Sequence, residues 1–298
     1  MRIKTLILGA GAAGMMCAAR AGGDCLVVDH AKAPGEKIRI SGGGRCNFTN
    51  MYAAPENYLS QNPHFCKSAM ARYTQWDFIE LVTRHGIAWH EKTLGQLFCD
   101  DSARQIVAML VKELRDAGAD LWLQTSVVDV SHGSDGFTVR LEREGKPVTV
   151  IAQNLVLATG GKSIPKMGAT GLSYEIATQF GLHVLDTRPG LVPFTFGADR
   201  FKPLAGVSIP ARISNAEASF DEALLFTHRG LSGPAVLQIS SYWREGEEIA
   251  VHLLPEVDLF VALREQRQQS GRKDLTTELA RHLPARLVED LAADGSLK

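Results

Sequence analysis

The chain begins with an order of residues that leaves few folds open. Thr5 to Asp29 reads TLILGAGAAGMMCAARAGGDCLVVD: an apolar run, a glycine-rich turn at Gly9 to Gly14, a helix of small residues, a second apolar run and an acid. A strand that passes straight into a helix through G-x-G-x-x-G is the first step of a doubly wound sheet. Gly9 permits the tight turn, Gly11 lets the backbone close on a pyrophosphate, and Gly14 lets the helix approach the strand. The unpaired amides at the helix start, with roughly half a positive charge of macrodipole, then face the phosphates. Asp29 ends the second run near the spacing of about twenty residues expected of an acid that holds a ribose hydroxyl. The natural ligand is a dinucleotide, and these residues leave FAD and NAD both open.

Composition adds bounds. A chain of 298 residues, 45% hydrophobic and 22% charged, has room for two soluble globular domains. Its net charge of −1 gives no electrostatic reason to expect nucleic acid or an anionic membrane as partner, and no apolar run is long enough to cross a bilayer. Arg2 and Lys4 before an apolar stretch imitate a signal peptide, but the glycines and the acid explain that stretch better. Five cysteines with no C-x-x-C pair and no metal spacing read as reduced thiols of a cytoplasmic protein. Cys46 stands beside Arg45, a cation expected to lower its thiol pKa.

Gly35 to Asn50, GEKIRISGGGRCNFTN, is too rich in glycine for a strand or helix interior and sets Lys37, Arg39 and Arg45 around Gly42, Gly43 and Gly44. Such a loop can lay amides and a guanidinium fork along a diphosphate already gripped from the other side. SGGGRCNFTN resembles the signature loop of the BaiN/RdsA (YhiN-like) family of FAD-dependent oxidoreductases. LVLATGG at Leu155 to Gly161 resembles that family's second flavin-contacting strand end, and LLFTHRGLSGPAVLQIS at Leu224 to Ser240 resembles its inserted-domain signature. With GAGAAG, these motifs extend over most of the chain.

The resemblance implies FAD held noncovalently in an extended conformation. Gly9, Gly11, Ala13 and Gly14 would meet the pyrophosphate, Asp29 the adenosine ribose, and Gly43, Gly44 and Arg45 the diphosphate and ribityl region, with Lys37 nearby. Val128, in a strand expected over Leu121 to Val130, would offer backbone contacts to adenine, while Thr159, Gly160 and Gly161 would pass close to the cofactor. The implied chemistry is hydride transfer on a small organic substrate, some relatives acting on unsaturated steroid-like ketones. No second G-x-G-x-x-G follows a strand, so NAD(P)H would dock transiently at the flavin face. Two departures stand out: Gly171-Leu172-Ser173 replaces the family's Gly-Asp-Gly, and helical segments after Asp258 run to Lys298 where relatives return to the nucleotide domain with a further strand, an acidic motif and a long helix. A truncated product, or one completed by another chain, is expected to retain FAD less well.

Elsewhere the chain reads as scaffold. Ser102 to Gln105 has the form of a capping box opening a helix that ends before Gly118, and Trp76 to His85 forms a second helix before Gly86. His90 and Glu91, adjacent on a strand, point to opposite faces and make no acid/base pair. Arg188-Pro189-Gly190 marks the expected boundary between a Rossmann-like FAD-binding domain (1–188) and an inserted, barrel-like and helical domain (189–298). Strands are expected there at Leu191 to Phe196, Val207 to Ile213, Ala223 to Thr227 and Ile249 to Leu254, with a helix opening at Pro234 whose amides could face an anion. His228 just upstream is the candidate for substrate contact or proton transfer.

The expected class is α/β, a Rossmann-like FAD-binding domain with a β-rich inserted domain ending in short helices. The expected partner is a small-molecule substrate, with no nucleic acid and no membrane, and the oligomeric state is left open. The alternative reading is a non-catalytic or vestigial nucleotide-binding fragment. A flavoprotein that modifies tRNA is a third, against which the near-neutral charge and the lack of a basic, aromatic-interleaved stripe speak.

Overall fold

The computed structural model describes residues 1–298 apart from 198, 272, 273, 294 and 296–298, and apart from the side chain of Ser270. It divides into two compact units, Met1–Leu185 and Asp186–Lys298.

The first unit is built on β1 (Arg2–Leu8), α1 (Ala12–Ala21) and β2 (Cys25–Val28). All four residues of β2 are buried, as a parallel strand covered on both faces requires. After α2 (Glu36–Ile40) and a short turn at Ser41–Gly44 come β3 (Asn47–Asn50), α3 (Lys67–Arg72), α4 (Gln75–Arg84), β4 (Trp89–Glu91), β5 (Gln96–Cys99) and α5 (Ala103–Asp116). The chain then runs through β6 (Asp120–Trp122), β7 (Thr125–Gly133), β8 (Gly136–Arg143), β9 (Lys146–Leu157) and α6 (Leu172–Gln179). Strand order in the main sheet is β6-β2-β1-β9-β8-β7, with β3, β5 and β4 forming a separate antiparallel sheet.

Alternation along the parallel strands decides the layers. Ile7, Cys25 and Val27 point toward α1 and α5, whereas Leu6, Leu8, Leu26 and Val28 meet Val130, Val139, Leu141 and Val150 of the β7–β9 meander. β9 belongs to both halves: Lys146 to Ala152 pairs antiparallel with β8, and Ile151 to Leu157 pairs parallel with β1. The single strand expected over Leu121 to Val130 is two strands. Gln124 takes a left-handed turn (φ 50°) between them, so β6 joins β2 while β7 leaves to pair with β8. Asp77 closes a capping box on Thr74 at the start of α4. At α5, Ser102 Oγ accepts the Arg104 amide, and Gln105 turns to Asp101 instead of completing the expected box.

The second unit holds β10 (Phe194–Thr195), β11 (Ser208–Ser214), β12 (Ser219–Thr227), β13 (Gly230–Ser232), α7 (Pro234–Ile239), β14 (Ala250–His252), α8 (Leu259–Ser270), α9 (Leu275–Leu279) and α10 (Ala285–Ala293). Its sheet is open rather than barrel-like, ordered β10-β13-β12-β11-β14. Ile209, Ala211 and Ile213 alternate inward on β11 and join Val236 and Ile239 of α7 and Leu287 of α10 in one core. Pro234 opens α7 as expected, but the helix is six residues long and a Cβ on Gly233 would stand 2.5 Å from the Ala223 carbonyl oxygen. That start is pressed onto β12.

Candidate functional site

A cleft of about 490 Å3 opens at the carboxyl ends of β1, β2 and β9, the edge where doubly wound sheets hold their ligands. Its floor fixes which residues must be glycine. Gly9 has φ +109°, and a Cβ there would stand 2.4 Å from the Ala158 carbonyl oxygen; one on Gly14 would stand 1.8 Å from the oxygen of Gly9. Around Gly11, by contrast, nothing lies within 4 Å of an added Cβ. Gly9 and Gly14 thus serve close approach within the protein, and Gly11 keeps space free for something else. Gly11 caps α1 with no side-chain hydrogen bond, and Ala12 and Ala13, at the helix end whose amides lack intrahelical partners, line the cleft.

Asp29 lines the same cleft, anchored by its own loop. Its Oδ2 accepts the Ala10 amide at 2.7 Å and its Oδ1 the Ala31 amide at 2.9 Å. Remaining lone pairs stay available to a hydroxyl. Lys37 is tied across the cleft, donating to Ser163 Oγ at 3.0 Å and the Gly161 carbonyl at 3.4 Å. Thr159 and Gly160 line the wall, and Gly161 lies beside it against the Tyr174 hydroxyl. Ser173 reaches the cleft too, 2.6 Å from Thr159 Oγ1, so the departure from Gly-Asp-Gly leaves a polar group in place. His30 and Gly168 are wall residues that sequence reasoning missed. Gly168 has φ +78°, and its Cβ would stand 2.3 Å from His30 Nε2, so the imidazole fits only because residue 168 is glycine.

Of the residues expected at the cofactor, Gly14, Gly43, Gly44, Arg45, Gly161 and Val128 fall outside this lining. Gly42 and Gly43 are left-handed, and a Cβ on Gly42 would strike the Phe98 ring at 2.7 Å, so the loop folds down onto β5. Gly43, Gly44 and Arg45 accordingly line no part of the first cleft; the flanking Ser41 and Cys46 line a second cavity of about 740 Å3. The two cavities share Ala12, Ala13, Lys37 and Ile38, so the glycine clusters flank one path around the start of α1 instead of facing across a single slot. Val128 stands at a register shift in β7 with its side chain 62% exposed. The backbone beside Asp29 is that of Gln124 and Thr125, whose amides donate to Ala31 and Asp29 carbonyls.

Cys46 is buried, and burial pushes its thiol pKa up, opposed only in part by a hydrogen bond from Ser41; the neighbouring Arg45 does not lower it. His228 lies in the second unit at the exposed tip of the β12–β13 turn, whose hydrogen bonds are carried by Thr227 Oγ1. Among the described residues no cluster of three or more His, Cys, Asp or Glu could hold a metal, and no helix is long and apolar enough to cross a membrane.

The family model described as HI0933-like protein Rossmann domain matches residues 3–275. The chain is 55% identical over 303 aligned residues to a protein of Escherichia coli (strain K12) named ribosomal RNA dihydrouridine synthase, covering 99% of this chain and 75% of that one. A protein of the same name from Haemophilus influenzae is 48% identical, covering 96% and 73%. A 3-dehydro-bile acid delta(4,6)-reductase of Clostridium scindens is 27% identical, covering 85% and 64%. All three carry the names of enzymes. A match across most of the chain, joined to the cleft just described, places this protein in the HI0933-like Rossmann family.

Proposed function

We propose that this chain is an FAD-dependent reductase of a carbon–carbon double bond conjugated to a carbonyl, and that its substrate is a uridine of ribosomal RNA. The observation that carries the reading is 55% identity to the E. coli synthase over 99% of the chain. The chemistry of the named relatives agrees. Dihydrouridine differs from uridine by two hydrogens across C5=C6, a bond conjugated to the C4 carbonyl, and a Δ4,6 3-ketone offers the same arrangement. Bound FAD supplies the hydride; the protein orients the substrate and handles the proton.

The residues present fit that cofactor. Gly11, Ala12 and Ala13 offer open space and helix-start amides to a pyrophosphate, Asp29 and the neighbouring backbone suit an adenosine ribose, and the second cavity takes the path onward past Lys37 and Ser41. NAD(P)H serves as transient electron donor in the cytoplasm. RNA here replaces the small-molecule substrate that the resemblance implied, although the net charge of −1 gives no electrostatic reason to expect nucleic acid. An enzyme that acts on one base reads an unstacked nucleotide by stacking and edge contacts, so a whole-chain charge near zero does not weigh heavily against it.

The test is to incubate the purified protein with NADPH and ribosomal RNA, then digest the RNA and look by mass spectrometry for a uridine heavier by two hydrogens. Formation of dihydrouridine supports the reading. Bleaching of the flavin by NADPH followed by reoxidation with an unsaturated 3-ketone, and none with RNA, would favour the bile-acid-like alternative suggested by the Clostridium relative.

A further inference from the structure

Four exposed aromatic rings stand along the segment that borders the second cavity, and neither the cofactor cleft nor the core uses them. Tyr52, Tyr58, Phe65 and Trp76 are between 54% and 80% exposed. Single apolar side chains open to water need no explanation, but a cluster of large ones marks a binding surface. Of the exposed aromatics in the first unit, only Phe180 lies elsewhere in the sequence.

Hydrogen bonds between distant parts of the segment gather these rings. The Pro55 carbonyl accepts both the Tyr58 amide at 3.1 Å and the Cys66 thiol at 3.7 Å, so Tyr58 and Phe65 flank one anchor. Gln75 Nε2 donates to the Met51 carbonyl at 2.9 Å, which brings the start of α4, with Trp76, to the turn that carries Tyr52. Ala53, Tyr58 and Gln75, interleaved with these residues, line the second cavity, and Tyr58 is the one exposed aromatic of that lining. Tyr58 thus stands where the cavity opens.

The nearby charges favour an anion. From Met51 to Trp76 the chain carries Lys67 and Arg72 against the single acid Glu56. Both cations are exposed, and among the described residues neither enters a salt bridge. A single strand of nucleic acid matches this combination, because every base has a face for an aromatic ring and the phosphates between bases meet the cations. A duplex keeps those faces stacked inside. The sequence shows no basic stripe interleaved with aromatics; the fold supplies a rim of rings in its place.

We propose that this rim docks unstacked, single-stranded RNA, with nucleotides beside the target uridine stacking on Tyr58, Phe65 and Trp76 while that uridine enters the second cavity. The inference rests on the uridine reading above. The cavity takes the cofactor's onward path, so a base that reaches the flavin from outside passes Tyr58 at the mouth. Stacking tolerates any base, so the rim supplies affinity and leaves the choice of uridine to the cavity. Lys67 and Arg72 add a salt-dependent attraction to the phosphates.

The experiment uses the full chain carrying FAD, with a fluorescent single-stranded oligouridylate, an RNA duplex of the same length and ribosomal RNA as probes. In anisotropy titrations the wild type should bind the single strand and prefer it to the duplex. Phe65→Leu and Trp76→Leu keep an apolar side chain but remove the ring; each should weaken single-strand binding about 5-fold to 150-fold while FAD affinity stays as in the wild type. Tyr58→Phe keeps the ring and should bind as the wild type does, whereas Tyr58→Leu should bind more weakly. Lys67→Gln combined with Arg72→Gln should flatten the slope of log affinity against log salt by about 1.4. Undiminished binding in Phe65→Leu and Trp76→Leu overturns the proposal, whether the rings then prove to hold a second copy of this chain, read by sedimentation, or a ribosomal protein. A duplex bound as tightly as the single strand overturns it too. If those two variants form dihydrouridine in ribosomal RNA with wild-type KM, the uridine reading stands and this one falls. Ring-dependent RNA binding without dihydrouridine keeps the docking surface and removes uridine as the substrate.

Discussion

Gly11 and Gly14 belong to one motif, yet the structure assigns them opposite sensitivities. In Gly14→Ala the new Cβ meets the Gly9 oxygen, and the gap has to widen from 1.8 Å to about 3.4 Å for ordinary contact. Gly14 is buried between α1 and β1, so the strain falls on rigid backbone. Overpacking of this kind costs about 1–3 kcal/mol, and the depth of the clash puts it near the top of that range. At about 2–4 °C per kcal/mol for a domain of this size, the thermal midpoint should drop by roughly 6–12 °C. Gly11→Ala meets no atom within 4 Å, and its φ of −82° and ψ of −171° suit any residue. The poorer cap and the stiffer unfolded chain oppose one another, each by less than about 1 kcal/mol, leaving stability nearly unchanged. The same Cβ enters the space proposed for the pyrophosphate, so FAD affinity should fall about tenfold or more, ~1.4 kcal/mol. Urea and thermal unfolding without cofactor, together with an FAD titration followed by flavin fluorescence, separate the two effects. Wild-type FAD affinity in Gly11→Ala, or wild-type stability in Gly14→Ala, would refute the assignment.

Further outcomes follow from the same geometry. Asp29→Asn leaves one oxygen to serve the two amides of Ala10 and Ala31, and should cost about 1–3 kcal/mol in urea unfolding as well as weakening FAD binding. Burial pushes the Cys25 and Cys99 thiols up to about 11, so in the folded protein an alkylating reagent near neutral pH should label the half-buried Cys17 and Cys66 first; early labelling of Cys25 or Cys99 would contradict the burial. The same two thiols lose their protons sooner in the unfolded chain than in the folded one. Stability should therefore decline as pH rises from 9 toward 11, readable as a falling urea midpoint.

The sequence made the nucleotide half legible because glycine spacing and strand ends are local. Gly9, Gly11, Asp29, Thr159 and Gly160 all come to the carboxyl edge of one sheet, Gly14 packs α1 onto Gly9 behind them, and the strict alternation of Ile209, Ala211 and Ile213 marked β11. What sequence could not supply were contacts set by register and backbone turns. The left-handed Gln124 splits what reads as one apolar strand, and the shift at Val128 takes that residue away from the cleft. The fold of the glycine loop onto Phe98 depends on a strand that arrives some fifty residues later, so the loop's own composition says nothing about which cavity it borders. His30 and Gly168 needed each other's coordinates: only a glycine at 168 explains how the imidazole is seated. The Asp100 partner of His90 was one strand away and was hidden by the nearer Glu91.

β9 gives the first unit an unusual mechanical character. A single strand is the last rung of the meander and, five residues later, the central support beneath the Ala158–Thr159 wall. Displacing β9 removes a partner from both ladders, so the amide hydrogens of β8 and of β1 that bond to it should exchange together in any opening event that moves this strand. A lesion in the meander far from any cofactor would be felt as a looser grip on it.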